Sequence, residues 1–106
     1  MIVIQVFFMK LDKIHHIAVQ VSDIEKSVEW YKAKFSCEVD YSDSSWALLR
    51  FANLSVALVT ENEHPPHYAI ERESISEFGS ATTHRDGTKS VYISDLDDNT
   101  IEMLKL

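Results

Sequence analysis

Two pairs of short segments in this chain echo one another, and that echo limits the fold more than any other feature. HIAVQ at 16–20 is matched by HYAIE at 67–71, and SVALV at 55–59 by TIEML at 100–104. The first pair lies 51 positions apart and the second 45. A repeated supersecondary unit whose second copy has a shortened helix accounts for the difference. Within the unit, 13–21 (KIHHIAVQV) alternates as a strand must, with Ile17, Val19 and Val21 on one side and Ile14, His16, Ala18 and Gln20 on the other. SDIE at 22–25 reads as a capping box with Ser22 as N-cap, and Ile24, Val28, Tyr31 and Phe35 then form one apolar helical stripe.

Short strands follow near 37–41, 46–51 and 54–60. Pro65 and Pro66 close the first unit, since proline cannot donate to a ladder. The second unit shows strands near 67–71, 80–84, 88–94 and 100–106, a helical or turn segment near 74–79, and a hairpin turn at Asp86-Gly87. The expected fold is α+β: two β-α-β-β-β modules, about 13–60 and 67–106, forming a cupped and mostly antiparallel sheet with the second helix shortened. Residues 1–12 are an N-terminal extension. Its apolar stretch Met1–Met9 is too short for a membrane span, which needs about 20 residues, and suits an extra strand or a start at Met9.

Alternation also places chemistry. If Ile17, Val19 and Val21 meet the helix, His16 points into whatever the sheet encloses. The same reasoning turns His67, Ala69 and Glu71 inward on the second module's first strand. It turns Glu102 and Leu104 inward on the last strand, leaving Ile101 and Met103 behind. Two imidazoles and a carboxylate facing one concavity are a ligand set for a divalent transition metal: Fe, Mn, Zn or Ni. Gln20, Arg50 and Tyr92 share that side as candidate substrate-binding residues, with Trp46 beside them. His15 is expected to face the other way, and His64 to face solvent from its loop. His84 is expected to flank the hairpin turn or reach the rim of the site.

Composition removes several alternatives. The formal charge of −7, with ten scattered Lys and Arg, argues against nucleic acid and anionic membrane as partners. One cysteine, Cys37, excludes an internal disulfide and fits a reducing, cytoplasmic setting in which it serves as a small core residue. With two glycines in the chain there is no phosphate loop. DLDDN at 95–99 lacks the Gly and Glu positions that an EF-hand requires.

KIHHIAVQVSDIEKSVEWY (13–31) resembles the opening, and SVYISDLDDNTIEML (90–104) the close, of proteins in the vicinal oxygen chelate superfamily, the glyoxalase/bleomycin-resistance/dioxygenase group. The resemblance implies a central divalent metal fed by the first and fourth strands of each half. It carries His16, His67 and Glu102 onto three ligand positions, and the fourth onto Leu58, which cannot bind a metal. It implies a small-molecule ligand or substrate, with either a metal-dependent reaction (lyase-, dioxygenase- or transferase-like) or metal-free sequestration as in the bleomycin-resistance branch. Pairing as a homodimer is a further implication. The group's turn usually carries Gly where this chain has Asp98, so a left-handed aspartate is expected there.

Overall fold

A computed structural model describes residues 10–106. The apolar stretch Met1–Met9 and the extra strand expected of it lie outside the described residues. The chain runs β1 (Lys13–Gln20), α1 (Ile24–Lys34), β2 (Glu38–Ser42), β3 (Trp46–Arg50), β4 (Ser55–Val59), β5 (His67–Glu71), a single 3-10 turn (Ser76–Phe78), β6 (Thr82–Thr83), β7 (Lys89–Ser94) and β8 (Thr100–Lys105). The eight strands form one sheet in the order β2-β3-β4-β1-β5-β8-β7-β6. In each half the first strand pairs parallel with the fourth, β1 with β4 and β5 with β8. The halves meet through the antiparallel pair β1–β5. This is the expected pair of β-α-β-β-β modules, with the 3-10 turn in place of the second helix.

The first half follows its sequence pattern closely. Val19, Val21, Ile24, Val28 and Tyr31 pack with Ala47, Leu49 and Leu58 in one cluster between α1 and the sheet, and Cys37 joins it as a small core side chain. Each fully buried leucine or isoleucine there contributes about 1.5–3 kcal/mol. Three details differ from expectation. Ile17, expected to meet the helix, is 42% exposed and stands outside the cluster. The N-cap is Asp23, not Ser22: its Oδ1 accepts from the Lys26 amide at 3.0 Å, and a carboxylate also suits the positive end of the helix dipole. Phe35 lies one residue beyond the helix in extended backbone and is half exposed, so the buried stripe stops at Tyr31.

In the second half, the ten residues between β5 and β6 leave space for only the 3-10 turn. Ile75 and Phe78 cover Val91, Met103, Ile70 and Ile101 from there. The strand expected over 80–84 shrinks to Thr82–Thr83. At Asp95–Asn99 the chain turns with Asp98 in the left-handed region (φ 64°), as its place in the motif led us to expect. Among the described residues no helix is long and apolar enough to cross a membrane.

Candidate metal centre

The three strands in the middle of the sheet, β1, β5 and β8, bring His16, Ala69 and Glu102 into one cross-strand row. His67 stands in the adjacent row beside Ala18. The small residues are what open the site: Ala69 is fully buried between the histidine and the carboxylate, leaving their side chains to converge above it. His16 Nε2 lies 3.2 Å and His67 Nε2 3.0 Å from the same oxygen, Glu102 Oε1. One donor atom from each residue lies within 4.8 Å of the others. All three side chains are buried, His67 the most deeply at 2% exposure.

Each imidazole is also engaged through its second nitrogen. His67 Nδ1 donates to the Pro65 carbonyl at 2.8 Å. His16 Nδ1 lies 2.8 Å from His15 Nδ1. The other carboxylate oxygen, Glu102 Oε2, is 3.5 Å from His84 Nε2, which also bonds the Ser90 hydroxyl. Burial alone would raise the Glu102 pKa, yet its bonds to His16 and His67 outweigh that and hold the carboxyl well below the usual range. For His67, burial works to lower the pKa, and the bonds to Glu102 and Pro65 prevail and raise it. Each of the two groups thus favours the charged form of the other. Burial lowers the pKa of His15 and His64, assisted by the neighbouring rings of His16 and His67 respectively.

The triad sits in a cavity of about 400 Å³, within the usual span for small-molecule sites. All five histidines of the chain line it. Trp46, Leu48, Ala57, Val59 and Leu104 supply an apolar wall. Tyr92, one of the three expected substrate contacts, is in the lining. Its ring stacks on His64 (centroids 5.2 Å apart) and meets the edge of His67 (5.5 Å). Burial, then the charge of Glu102, raises its pKa, so its phenol keeps its proton and acts as a donor. Gln20 and Arg50 are not among the lining residues. Gln20 donates to the His64 carbonyl at 3.3 Å, and Arg50 is exposed and bonded to Asp40 and Glu38.

Three expectations need correction, and of the two places open to His84 the structure takes the one at the site. A β-bulge between Ile14 and His16 puts two consecutive side chains on one face, so His15 lines the cavity beside His16. His64 does not face solvent, because stacking on Tyr92 draws it into the site. His84, carried on the Asp86-Gly87 hairpin, reaches Glu102 itself. The position that answers Glu102 in the first half is Ala57, not Leu58: Ala57 pairs with Ala18 on β1 as Glu102 pairs with Ala69 on β5. Leu58 points to the opposite face, into the α1 core. The fourth place has no ligand all the same, since alanine offers no donor either.

No curated protein sequence matches the chain. Solved structures do. Methylmalonyl-CoA epimerase from Mycobacterium tuberculosis superposes with a TM-score of 0.73 at 13% identity, over 88% of this chain and 87% of the epimerase. The Streptomyces coelicolor methylmalonyl-CoA epimerase, in complex with 2-nitronate-propionyl-CoA, gives 0.73 at 14%, over 91% and 98%. A glyoxalase/bleomycin resistance protein/dioxygenase superfamily member from Vibrio splendidus 12B01 gives 0.63 at 11%, over 91% and 100%. At these identities the likeness establishes the fold. The sequence profile of one family matches residues 13–84, more than half of the chain and inclusive of β1, α1 and His67. The chain belongs to the Glyoxalase/Bleomycin resistance protein/Dioxygenase superfamily.

Proposed function

We propose that this protein processes a small molecule at a divalent metal ion held by His16, His67 and Glu102. The observation that carries this reading is the convergence of two imidazole Nε2 atoms on one buried carboxylate oxygen, each ring engaged from behind through Nδ1. That is the donor set and the outer support that Fe, Mn, Zn or Ni sites use. The ion, when bound, supplies Lewis acidity toward a pair of neighbouring substrate oxygens.

The chain's own residues do the rest. Glu102 offsets the charge of the ion, and the histidines give it up to two neutral donors. With alanine at position 57, the first half adds no fourth ligand and leaves coordination positions for the substrate. Trp46, Leu48 and Leu104 hold the apolar part of the ligand and exclude water, while Tyr92 donates its phenol proton to an oxygen. The reaction type is unassigned. The acyl-CoA ligands of the structural neighbours make methylmalonyl-CoA a reasonable first compound to screen. A cytoplasmic location and pairing as a homodimer belong to this reading too, and fractionation and sedimentation test them.

A second reading is a metal-free binding module of the bleomycin-resistance type. One observation favours it: among the described residues, every buried side-chain nitrogen and oxygen already has a partner without an ion. Elemental analysis of protein purified without chelators separates the two. About one equivalent of metal, lost in His16→Ala and Glu102→Ala, supports the first. Metal content unchanged in both variants ends it. Protein with no metal that is stabilised by a small-molecule screening hit supports the second.

A further inference from the structure

His16 Nε2 can hold a metal only through its lone pair, so in the neutral ring the proton must sit on Nδ1 and needs an acceptor there. His67 meets this requirement with the Pro65 carbonyl, from the irregular chain just before β5. His16 lacks that option. From His16 onward β1 is paired on both edges, parallel to β4 and antiparallel to β5. The partner that His16 Nδ1 has is a side chain. The bulge between Ile14 and His16 supplies one by turning His15 onto the same face. The two rings stand nearly perpendicular, with centroids 5.1 Å apart and the Nδ1 atoms at 2.8 Å.

We propose that His15 is a positioning residue for His16: its Nδ1 accepts a hydrogen bond from His16 Nδ1–H when an ion occupies Nε2, and donates one to His16 Nδ1 when the ion leaves. This rests on the metal-dependent reading above. In the metal-free site His16 Nε2–H donates to Glu102 Oε1, and His15 Nδ1–H donates to His16 Nδ1. With an ion bound, the Nε2 proton departs to solvent, the shared proton moves to His16 Nδ1, and His15, which lines the cavity, gains one on its own Nε2. Each ring carries one proton before and after, so the pair exchanges its hydrogen bond without a change of charge. A carbonyl, which can only accept, could not serve both states. The bulge, which interrupts the register of the strand that joins the two halves, thereby has a use.

The test compares zinc affinity, measured by competition with a chromophoric chelator, in wild type, His15→Phe and His15→Asn. Phenylalanine keeps the ring and loses the nitrogen. The asparagine amide can place either an oxygen or an N–H where Nδ1 stood. We expect His15→Phe to bind zinc about 10–100-fold more weakly and His15→Asn to return to within about threefold of wild type. In the zinc-loaded wild type, nitrogen-15 correlation spectra should show His16 protonated at Nδ1. Should the Phe variant not fold, His15→Ala takes its place. Equal affinity in Phe and wild type, an Asn variant as weak as Phe, or His16 protonated at Nε2 would each overturn the inference while leaving the metal site standing. A wild type that binds no divalent metal would overturn the functional reading and, with it, this one.

Discussion

The two halves of the sheet share a strand order and differ on both faces. Behind the first half lies α1, over a core in which Ala47, Leu49 and Leu58 have no exposed surface. Behind the second lies a 3-10 turn that reaches Val91 and Met103, while on the β1 side of the join Ile14 and Ile17 stay about half exposed. In front the balance reverses. The first half offers the cavity mostly apolar side chains and the His15–His16 pair, whereas the second offers His67, His84, Tyr92 and Glu102. The two modules thus divide the labour, with packing concentrated in one and polar side chains in the other.

The largest effect that this comparison foresees is on metal. Glu102→Ala removes the oxygen on which both halves converge, and zinc affinity should fall by more than the about 100-fold at the upper end of an outer partner's worth. Competition titration measures it, and retention of wild-type affinity would break the assignment of the chemistry to the second half. Next comes packing. Leu58→Ala should destabilise the protein by about 3 kcal/mol, because the site lies fully buried under a helix that cannot collapse onto it. Ile75→Ala, on the short 3-10 segment, should fall nearer the lower end at about 2 kcal/mol, since a segment of that length can settle into the space. Urea unfolding of both metal-free variants decides the point. An equal or larger loss at Ile75 would show that the second half is as firmly packed as the first.

The pH response sharpens the contrast further. The pKa of His67 is raised, so its protonated form is favoured by the fold: that stability is fully present below the unfolded value near 6.5 and is lost as pH rises through the higher folded value. His15 and His64 are lowered, so below 6.5 the unfolded chain takes up protons that the fold resists, and stability falls as pH drops through their folded values. The depressed carboxyl of Glu102 stays ionised throughout this range. Thermal melts of the metal-free protein should therefore show greatest stability near pH 6.5. Zinc affinity should instead keep rising above that pH, by up to tenfold per unit while His67 still holds the proton that the ion must displace. Parallel trends with and without zinc would remove His67 from the ligand set.

Much of this division could be read in the sequence, and the parts that could not share a physical cause. Period-two alternation assigned the faces of β1, β5 and β8, and so the mutual approach of His16, His67 and Glu102. Alternation reports a face and is silent on depth along the strand. Arg50 and Gln20 lie at strand ends, outside the cavity lining, and they bond to neighbours there. It also fails wherever the period is broken, and nothing in KIHH marks a bulge at His15. Loop side chains lie outside its reach altogether: His64 and His84 return to the site because Tyr92 and Glu102 offer them partners far away in sequence. The fourth position, by contrast, is legible in the sequence. Aligning SVALV with TIEML sets Ala57 against Glu102, and the helix-facing alternation of β4 agrees.

The smallest effect separates the two β-β turns that stand at equivalent places in the halves. In the first half the chain closes between Phe51 and Leu54, whose amide and carbonyl bond at 3.0 Å, with no left-handed residue. In the second half, Asp95 organises a longer turn: its Oδ1 accepts from the amides of Asp97 and Asn99, and its Oδ2 from the Asn99 side chain. Asp98 contributes only backbone, held at φ 64° where a Cβ costs about 1–2 kcal/mol for an ordinary residue and less for aspartate. Glycine removes that cost and adds about 0.5–1 kcal/mol of chain entropy to be lost on folding. Asp98→Gly should therefore stabilise the protein by a few tenths of a kcal/mol, visible as a small rise in the urea midpoint at constant slope. A loss beyond about 1 kcal/mol would mean that the Asp98 carboxylate does work which its surroundings do not reveal, and the turn would then be more than a closure between β7 and β8.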